Sequence, residues 1–290
     1  MPALVEHLDH HDLHPDPAQR DPRRALAKVP ELTIYFWIAK VLTTGMGETT
    51  SDFLNQWLGP AIAVPIMLLA LWGALRIQFR RDRYDAWTYW LVVVMVAVFG
   101  TTAADALHVV LGIPYAYSTS FYLVALVVIF VRWYRSEGTL SVHSIYTRRR
   151  ERFYWATVLI TFALGTAAGD LTAVPLHLGY LASALMFSGI FLLPALGYWL
   201  VGLHEVAAFW LAYIITRPVG ASFADWIAVP RNKGGLAVGP GTISGVLAVL
   251  IVAFVGYLAV TRKDVRTDHR PAHEHEDHRL PMRPMPEPVD

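Results

Sequence analysis

The stretch that decides the fold is GETTSD at residues 47–52, because close copies of it recur as GTTAAD at 100–105, GTAAGD at 165–170 and GASFAD at 220–225. In every copy the aspartate follows the glycine by five residues, and the glycine follows a Trp by ten. An aromatic residue stands directly before each Trp, and the four pairs are Phe36-Trp37, Tyr89-Trp90, Tyr154-Trp155 and Phe209-Trp210. Four matches at fixed spacing indicate internal duplication.

The segments around these motifs are long and apolar. Hydrophobic residues make up 55% of the 290 residues and charged residues 16%, with a mean hydropathy of +0.40. A helix that crosses a bilayer needs about 20 largely apolar residues, and eight segments qualify, at roughly 33–52, 60–78, 87–105, 114–132, 153–170, 180–200, 205–225 and 242–260. The sequence therefore predicts an all-α, polytopic membrane bundle of eight transmembrane helices.

The distribution of basic residues predicts the orientation. Most Lys and Arg residues between and beside the spans fall on one side, and only Arg231 and Lys233 fall on the other. Because cytoplasmic loops are enriched in Lys and Arg, we expect both termini in the cytoplasm. Each repeat holds two spans, so the four copies face the same way and form parallel repeats.

The predicted organisation is four repeats between two tails. The first 30 residues are polar and His-rich, without the apolar core of a signal peptide. Histidines interleaved with acidic residues in both tails are typical of a weak collector of divalent metal. Residues 228–241 are glycine-rich and predict a flexible outer loop that acts as a lid. The expected units are a tail at 1–30, repeats at 31–84, 85–150 (with a cytoplasmic linker), 151–203 and 204–265, and a disordered His/Pro-rich tail at 266–290.

This pattern resembles a family of bacterial integral membrane proteins of unknown function built from four tandem repeats, each with two transmembrane segments and a characteristic Trp. The resemblance covers roughly residues 30–265. It implies the architecture and a multi-pass location in the bacterial inner membrane. It implies no activity and no catalytic residues, so the functional hypotheses below come from the residues themselves.

Composition and motifs exclude several function classes. The chain has no cysteine, which excludes disulfides, thiolate metal ligands and iron–sulfur clusters. It contains no Walker loop, no HExxH helix and no GxSxG elbow, so we expect no ATP hydrolysis and no enzyme activity. The net charge of +1 gives no sign of a nucleic-acid partner, and we expect none.

The repeated Trp and Gly residues have structural interpretations. Amphipathic rings favour the membrane interface, so we expect the tryptophans to anchor the odd-numbered spans there. Glycine costs about 1 kcal/mol in a helix unless close packing offsets it, and small residues let membrane helices approach closely. We therefore expect the odd spans to surround a central axis, with the even spans outside. The residues concerned are Trp37, Trp90, Trp155 and Trp210, and Gly47, Gly100, Gly165 and Gly220.

The four repeated aspartates are the strongest functional candidates: Asp52, Asp105, Asp170 and Asp225. Fifteen residues from Trp to Asp correspond to about 22 Å of helix, which falls short of a hydrocarbon core about 30 Å thick. An ionised Asp at mid-span costs roughly 2.5 to 3.5 kcal/mol. One interpretation is that these carboxylates bind or relay cations. The alternatives are that each Asp caps a following helix or ends its span at the interface.

Polar neighbours of the aspartates suggest partners. Glu48 and Asp52 share a helical face, as do Asp105 and His108, and both pairs offer donors suited to Mn²⁺, Zn²⁺ or Fe²⁺. We take Asp105 and His108 as the candidate metal ligands. His177 follows the third aspartate by seven residues, but a proline intervenes, so this pairing is weaker.

Two cationic side chains, Lys40 and Arg217, lie well inside their spans and away from the span ends. Arg217 stands two turns before Asp225 on the same face, so we expect it to neutralise that carboxylate. Lys40 lies in the middle of the first span, where it is expected to pair with a carboxylate or to lower the proton affinity of the site.

The leading hypothesis is a secondary transporter or channel in the lipid bilayer for a small cation, with a divalent transition metal as substrate, proton exchange at the aspartates and export favoured. No resident cofactor is expected, since the metal would be the substrate. One alternative is a membrane redox protein with His108 and His177 as axial haem ligands. The other is a non-catalytic membrane scaffold or stress-response protein.

Overall fold

The computed structural model describes residues 27–265, which contain eight long α-helices and no strand: α1 Ile34–Leu58, α2 Pro60–Arg80, α3 Ala86–Val109, α4 Tyr115–Glu137, α5 Arg148–Ala173, α6 Gly179–Val201, α7 Glu205–Ala228 and α8 Pro240–Thr261. Helices α2 to α8 are long and apolar enough to cross a membrane. Helix α1 carries three charged residues along its length, Lys40, Glu48 and Asp52. The predicted all-α membrane bundle is confirmed, and the chain is a multi-pass membrane protein. The His-rich parts of the two tails lie outside the described residues.

Local sequence signals set the helix ends. Helix α3 begins after Asp85, whose side chain accepts a hydrogen bond from the Thr88 amide at 2.9 Å. Helices α2 and α8 each begin with a proline, whose missing N–H is not needed in the first turn. Helices α4 and α6 end at Gly138 and Gly202, which adopt the left-handed conformation that glycine accepts without strain.

The odd-numbered helices form an inner ring. Helix α1 packs against α3 and α7, and α5 packs against the same two helices from the other side. Each outer helix packs chiefly on the inner helix of the next repeat, so that α2 lies on α3, α4 on α5, α6 on α7, and α8 closes the circle on α1. The predicted arrangement of odd helices inside and even helices outside is confirmed, and the repeats interlock around the ring.

Close contacts at the repeated glycines hold the inner ring together. A Cβ added to any of the four would lie 3.0 Å or less from the next inner helix, at the residue three positions before the next copy's glycine. The pairs are Gly47 with Ala97, Gly100 with Phe162, Gly165 with Arg217, and Gly220 with Thr44. Equivalent glycine contacts therefore join all four pairs of neighbouring inner helices, which confirms the close packing expected from the glycines.

Aromatic rings fill the inner ring near the first turns of its helices, and we call them the aromatic layer. The first aromatic of each repeat contacts the Trp of the next: Phe36–Trp90 at 5.8 Å between ring centroids, Tyr89–Trp155 at 5.4 Å, Tyr154–Trp210 at 6.3 Å and Phe209–Trp37 at 6.0 Å. Trp90, Trp155 and Trp210 are only 1%, 3% and 4% exposed. The interpretation of these three as interface anchors is wrong, because their rings pack into the bundle. Trp37 is half-buried.

The α2–α3 loop, the 138–147 linker and residues 262–265 cover the aromatic layer at one end of the bundle. We call it the basic end, because it carries Arg81 and Arg83, the arginines at 148–150, and Arg262 and Lys263. The Trp210 indole donates to the Leu140 carbonyl at 2.9 Å. Lys28 forms a buried ion pair with Glu151 at 2.8 Å, and the Lys28 amide donates to the Ile145 carbonyl. These contacts close this end of the bundle.

Candidate functional site

The opposite end of the bundle contains a cavity of about 420 Å³, and we call this the cavity end. All four repeat aspartates line this one cavity, together with the glutamate of the first repeat. The lining residues are Glu48, Asp52, Asn55, Gln56, Pro60, Asp105, His108, Tyr115, Asp170, Tyr180, Asp225, Val229 and Lys233. The ring geometry accounts for this convergence, since each aspartate holds the same position on its inner helix.

Each aspartate lies inside its helix. Helix α1 continues for six residues beyond Asp52, and α3, α5 and α7 continue for three or four residues beyond theirs. The alternative in which each Asp caps a following helix is therefore wrong. The alternative in which each Asp ends its span at the interface stays open, because three of these helices end within four residues of their aspartate.

The four aspartates differ in the hydrogen bonds that they accept from the protein. Asp105 accepts hydrogen bonds from the Ser51 hydroxyl at 3.1 Å and the Asn55 amide at 3.2 Å, both from α1. Within residues 27–265, Asp52, Asp170 and Asp225 accept no hydrogen bond from a protein donor. Asp225 is also only 6% exposed. Three carboxylates therefore remain free to receive hydrogen bonds or charge from a bound species.

Arg217 lies at the inner end of the cavity and is fully buried. Its Nη2 donates to Glu48 at 2.5 Å, to the Thr166 hydroxyl at 2.8 Å and to the Thr101 hydroxyl. The expectation that Arg217 neutralises Asp225 is wrong. Eight residues separate the two along α7, about 12 Å of helix, whereas the ring brings Glu48 of α1 directly to the guanidinium.

Lys40 lies closer to the basic end and is 1% exposed. Its Nζ stands 3.9 Å from the Phe162 ring centroid and 3.8 Å from that of Tyr213. Among the described residues it has no hydrogen-bond partner. The expected pairing with a carboxylate is therefore wrong, because two helical turns separate Lys40 from Glu48 and the neighbouring helices offer aromatic faces there.

The two histidines have different surroundings. His108 lines the cavity, its Nδ1 lies 2.8 Å from the Ile113 carbonyl, its Nε2 lies 3.3 Å from the Ser118 hydroxyl, and its ring stacks on Tyr115. His177 is exposed in the turn after α5 and is absent from the cavity lining. The structure thus joins His108 to the aspartates but does not bring His177 to them.

The described part of the chain contains no group of three or more His, Cys, Asp or Glu residues placed to hold a metal ion. Asp105 and His108, the predicted metal ligands, share the cavity, but both histidine nitrogens are already in contact with protein oxygens. The pair is therefore not a preformed metal centre. Its hydrogen bonds would have to change before a metal could bind directly to the imidazole.

Several site residues were not predicted from the sequence. Thr101 and Thr166 occupy the position directly after the repeat glycine, the same position as Glu48. Alignment of the repeats on their glycines would have found them. Tyr115 and Tyr180, from the starts of α4 and α6, carry no comparable signal, because only the tertiary structure brings these outer helices to the cavity.

The loop between α7 and α8 folds back on the end of α7. The Leu236, Ala237 and Val238 amides donate to carbonyls at 226, 229 and 227, at 2.9 to 3.1 Å. Lys233, from this loop, reaches the cavity lining. The loop expected to be flexible thus has a regular hydrogen-bonded conformation, and it adds one cation to the rim of the cavity.

These features define a multi-pass membrane protein in which four interlocked helix pairs form a ring with a carboxylate cavity at one end. The chain belongs to the family described as Repeat of Unknown Function (DUF347), whose model matches residues 35–84, 88–139, 153–202 and 208–264. Each match contains one copy of the aromatic-Trp, Gly and Asp pattern. Comparison with curated proteins and with solved structures gave no match.

Proposed function

We propose that the protein is a secondary transporter for a cation, with the cavity at the cavity end as its binding site. The observation that carries the proposal is the convergence of all four repeat aspartates on one cavity of about 420 Å³. Four equivalent carboxylates from four inner helices give a single site surrounded by negative charge. A bound cation would stabilise that charge.

The balance of charges supports a cationic ligand. The cavity lining holds five carboxylates, and the cations near them are Arg217, at its inner end, and Lys233, at its rim. An ionised Asp within a membrane span costs roughly 2.5 to 3.5 kcal/mol. A cation, or protons on some carboxylates, would offset that cost. The same carboxylates can therefore exchange a cation for protons.

One-sided access favours a transporter over an open channel. From the cavity toward the basic end, the centre of the bundle contains first Arg217, then Lys40 with its two aromatic neighbours, then the aromatic layer under the 138–147 linker. In residues 27–265, these buried cationic and aromatic groups stand between the cavity and the basic end, and both guanidinium and ammonium would repel a cation on that path. Transport in our proposal therefore requires an alternation between this conformation and one that opens to the basic end.

The proposed substrate is a divalent metal ion that keeps part of its water. Carboxylate, amide and phenol oxygens are hard donors that suit Mn²⁺ and related ions. A cavity of about 420 Å³ leaves room for several waters, each of about 30 Å³. Water-mediated coordination also agrees with the lack of a preformed cluster of metal ligands in residues 27–265.

The proposed location is the bacterial inner membrane, with the basic end in the cytoplasm. The positive-inside rule supports this orientation, because the basic end carries Arg81 and Arg83 of the α2–α3 loop, three arginines in the first turn of α5 (148–150), and Arg262 and Lys263 after α8. The cavity then faces away from the cytoplasm, and export corresponds to release of the cation from the conformation described here.

The haem hypothesis receives no support from the site. His108 lies in the cavity, but its ring nitrogens contact the Ile113 carbonyl and the Ser118 hydroxyl, and His177 is exposed outside the cavity. The scaffold hypothesis makes a distinct prediction. It expects neutral substitutions of the aspartates to change stability alone.

The decisive experiment is cation flux in proteoliposomes that contain a metal-sensitive dye. Wild-type protein is expected to move Mn²⁺ with a pH dependence that reflects proton exchange. Asp105→Asn and Asp170→Asn are each expected to reduce the flux by about tenfold or more, since one charge-assisted contact is worth about 1.5 kcal/mol or more. Asp82→Asn, in the exposed α2–α3 loop, is the matched control and should leave flux unchanged.

Folding of every variant is checked by its elution profile and thermal melting. Wild-type flux in the Asp105→Asn, Asp170→Asn double variant would contradict the proposal. The scaffold hypothesis would be favoured if the wild type neither transported nor bound a cation and the aspartate variants only lost stability.

A further inference from the structure

The inner end of the cavity already holds a cation that belongs to the chain. The Arg217 guanidinium is fully buried between the Glu48 carboxylate and the hydroxyls of Thr101 and Thr166. Its Nη1 also lies 3.5 Å from the Thr44 carbonyl. One carboxylate and three neutral oxygens therefore surround this positive charge.

The acceptors of this guanidinium are related by the repeat. Glu48, Thr101 and Thr166 each follow the repeat glycine directly, so they face the centre of the ring from α1, α3 and α5. The fourth inner helix, α7, supplies Arg217 itself. All four repeats thus contribute to one site on the axis of the ring.

The arginine is peculiar to the fourth repeat. The positions that correspond to Arg217 in the other copies are Thr44, Ala97 and Phe162, none of which carries a charge. Packing of the inner ring therefore does not require a cation at this position. Gly165 makes room for it, since a Cβ there would collide with the Arg217 stem.

Glu48 connects this inner site to the cavity. It lines the cavity with the four aspartates and also forms the ion pair with Arg217. A cation that reaches Glu48 from the cavity must compete with the guanidinium for the same carboxylate. Because like charges repel in a poorly solvated interior, the two cations cannot share the site.

We propose that Arg217 is a tethered cation occupying an inner cation site of the pathway, and that a substrate cation moves past the aspartates only when this guanidinium leaves Glu48. The gating half of this inference rests on the proposed transport function. The inner site itself does not rest on that function, because the binding of guanidinium to it can be measured in protein that transports nothing.

The test is chemical complementation of Arg217→Ala with guanidinium ion. This substitution removes the tethered cation and leaves Glu48, Thr101 and Thr166 around the vacated space. Millimolar guanidinium chloride, compared with sodium chloride at equal ionic strength, should raise the Tm of the variant. At a guanidinium concentration tenfold above its dissociation constant, the Tm of the variant should rise by about 3 °C more than the Tm of the wild type.

Two controls isolate the site. The double variant Glu48→Gln, Arg217→Ala lacks the carboxylate and should lose the guanidinium response. Arg76→Ala removes an arginine from α2 that is exposed and stacks on Trp72, so its response should equal that of the wild type. Equal responses of Arg217→Ala and wild type would overturn the inner site. If the variant folds poorly, recovery of folded protein only when guanidinium is present supports the site, and failure of guanidinium to restore it overturns the site.

The gating half is tested in proteoliposomes preloaded with Mn²⁺. Arg217→Ala should release the ion faster than the wild type, and guanidinium should restore the wild-type rate. An unchanged release rate overturns the gating role. Absence of any aspartate-dependent flux in the wild type would instead refute the transport proposal, and the thermal experiment would still decide the inner site.

Discussion

Adding one methyl group to Gly47 tests the close contact between α1 and α3. The new Cβ would lie 2.5 Å from the Ala97 Cβ, 2.9 Å from its carbonyl carbon and 3.2 Å from its Cα. Two of these are backbone atoms, so a rotamer change cannot relieve the collision. The helices themselves must move apart, and the same displacement would separate two of the aspartates that share the cavity.

The expected destabilisation by Gly47→Ala follows from a matched comparison with Gly73→Ala in α2. Both substitutions gain about 1 kcal/mol of helix propensity, but nothing lies within 4 Å of a Cβ added to Gly73. The propensity gain cancels in the difference, which leaves the cost of overpacking, about 1 to 3 kcal/mol. Gly100→Ala should fall between them, because its closest contact is Phe162 Cβ at 3.0 Å.

The assay is equilibrium unfolding in mixed detergent micelles, supported by thermal melting. With roughly 2 to 4 °C per kcal/mol, a difference of about 2 kcal/mol should place the Tm of Gly47→Ala about 4 to 8 °C below that of Gly73→Ala. Equal stability of the two variants would refute the close approach of α1 and α3. A reversed order would refute the interlocked ring as well.

Three further predictions concern the basic end. Lys28→Met should lower the free energy of unfolding by about 3 to 5 kcal/mol, because it leaves the Glu151 carboxylate buried without its cation. Trp210→Phe should cost about 1 kcal/mol and speed hydrogen exchange in the linker, because the bond to the Leu140 carbonyl is lost. Burial raises the pKa of Asp264, so the native state binds its proton more tightly than the unfolded state does, and stability should fall as pH rises through that raised pKa, whereas Asp264→Asn should lack this fall in a pH series of melting curves.

Each of these predictions has a control or a result that would contradict it. Arg149→Gln removes a cation that is 69% exposed and should change stability by less than about 1 kcal/mol. Unchanged exchange in residues 138–147 of the Trp210→Phe variant would contradict the role of the indole in holding the linker. Parallel pH curves for wild type and Asp264→Asn would contradict the assignment of that titration to Asp264.

The sequence predicted well wherever one repeat could be compared with another. The spacing of the glycines and aspartates indicated both the inner ring and the candidate site, because equivalent positions on parallel repeats face the same way. The glycine contacts and the convergence of the aspartates agree with that reasoning.

The predictions failed for side chains whose partners lie on a neighbouring helix. Arg217 was assigned to Asp225 on its own helix, but Glu48 of α1 is its partner. Pairing with a carboxylate was one of the two roles expected of Lys40, whose Nζ instead lies over the rings of Phe162 and Tyr213. Spacing along one helix reports only the face of that helix, so it cannot identify which residue of the neighbouring helix lies opposite.

The sequence by itself determined that this protein is a helical membrane bundle of four parallel repeats, because hydropathy and repeat spacing depend only on the order of residues along the chain. The tertiary structure decided how the ring closes, with each outer helix on the inner helix of the next repeat and α8 on α1. It also decided that Trp90, Trp155 and Trp210 pack inside the bundle and that Arg217 lies at the inner end of the cavity. These outcomes depend on the register and rotation of helices against each other, which are set by packing at the glycine contacts.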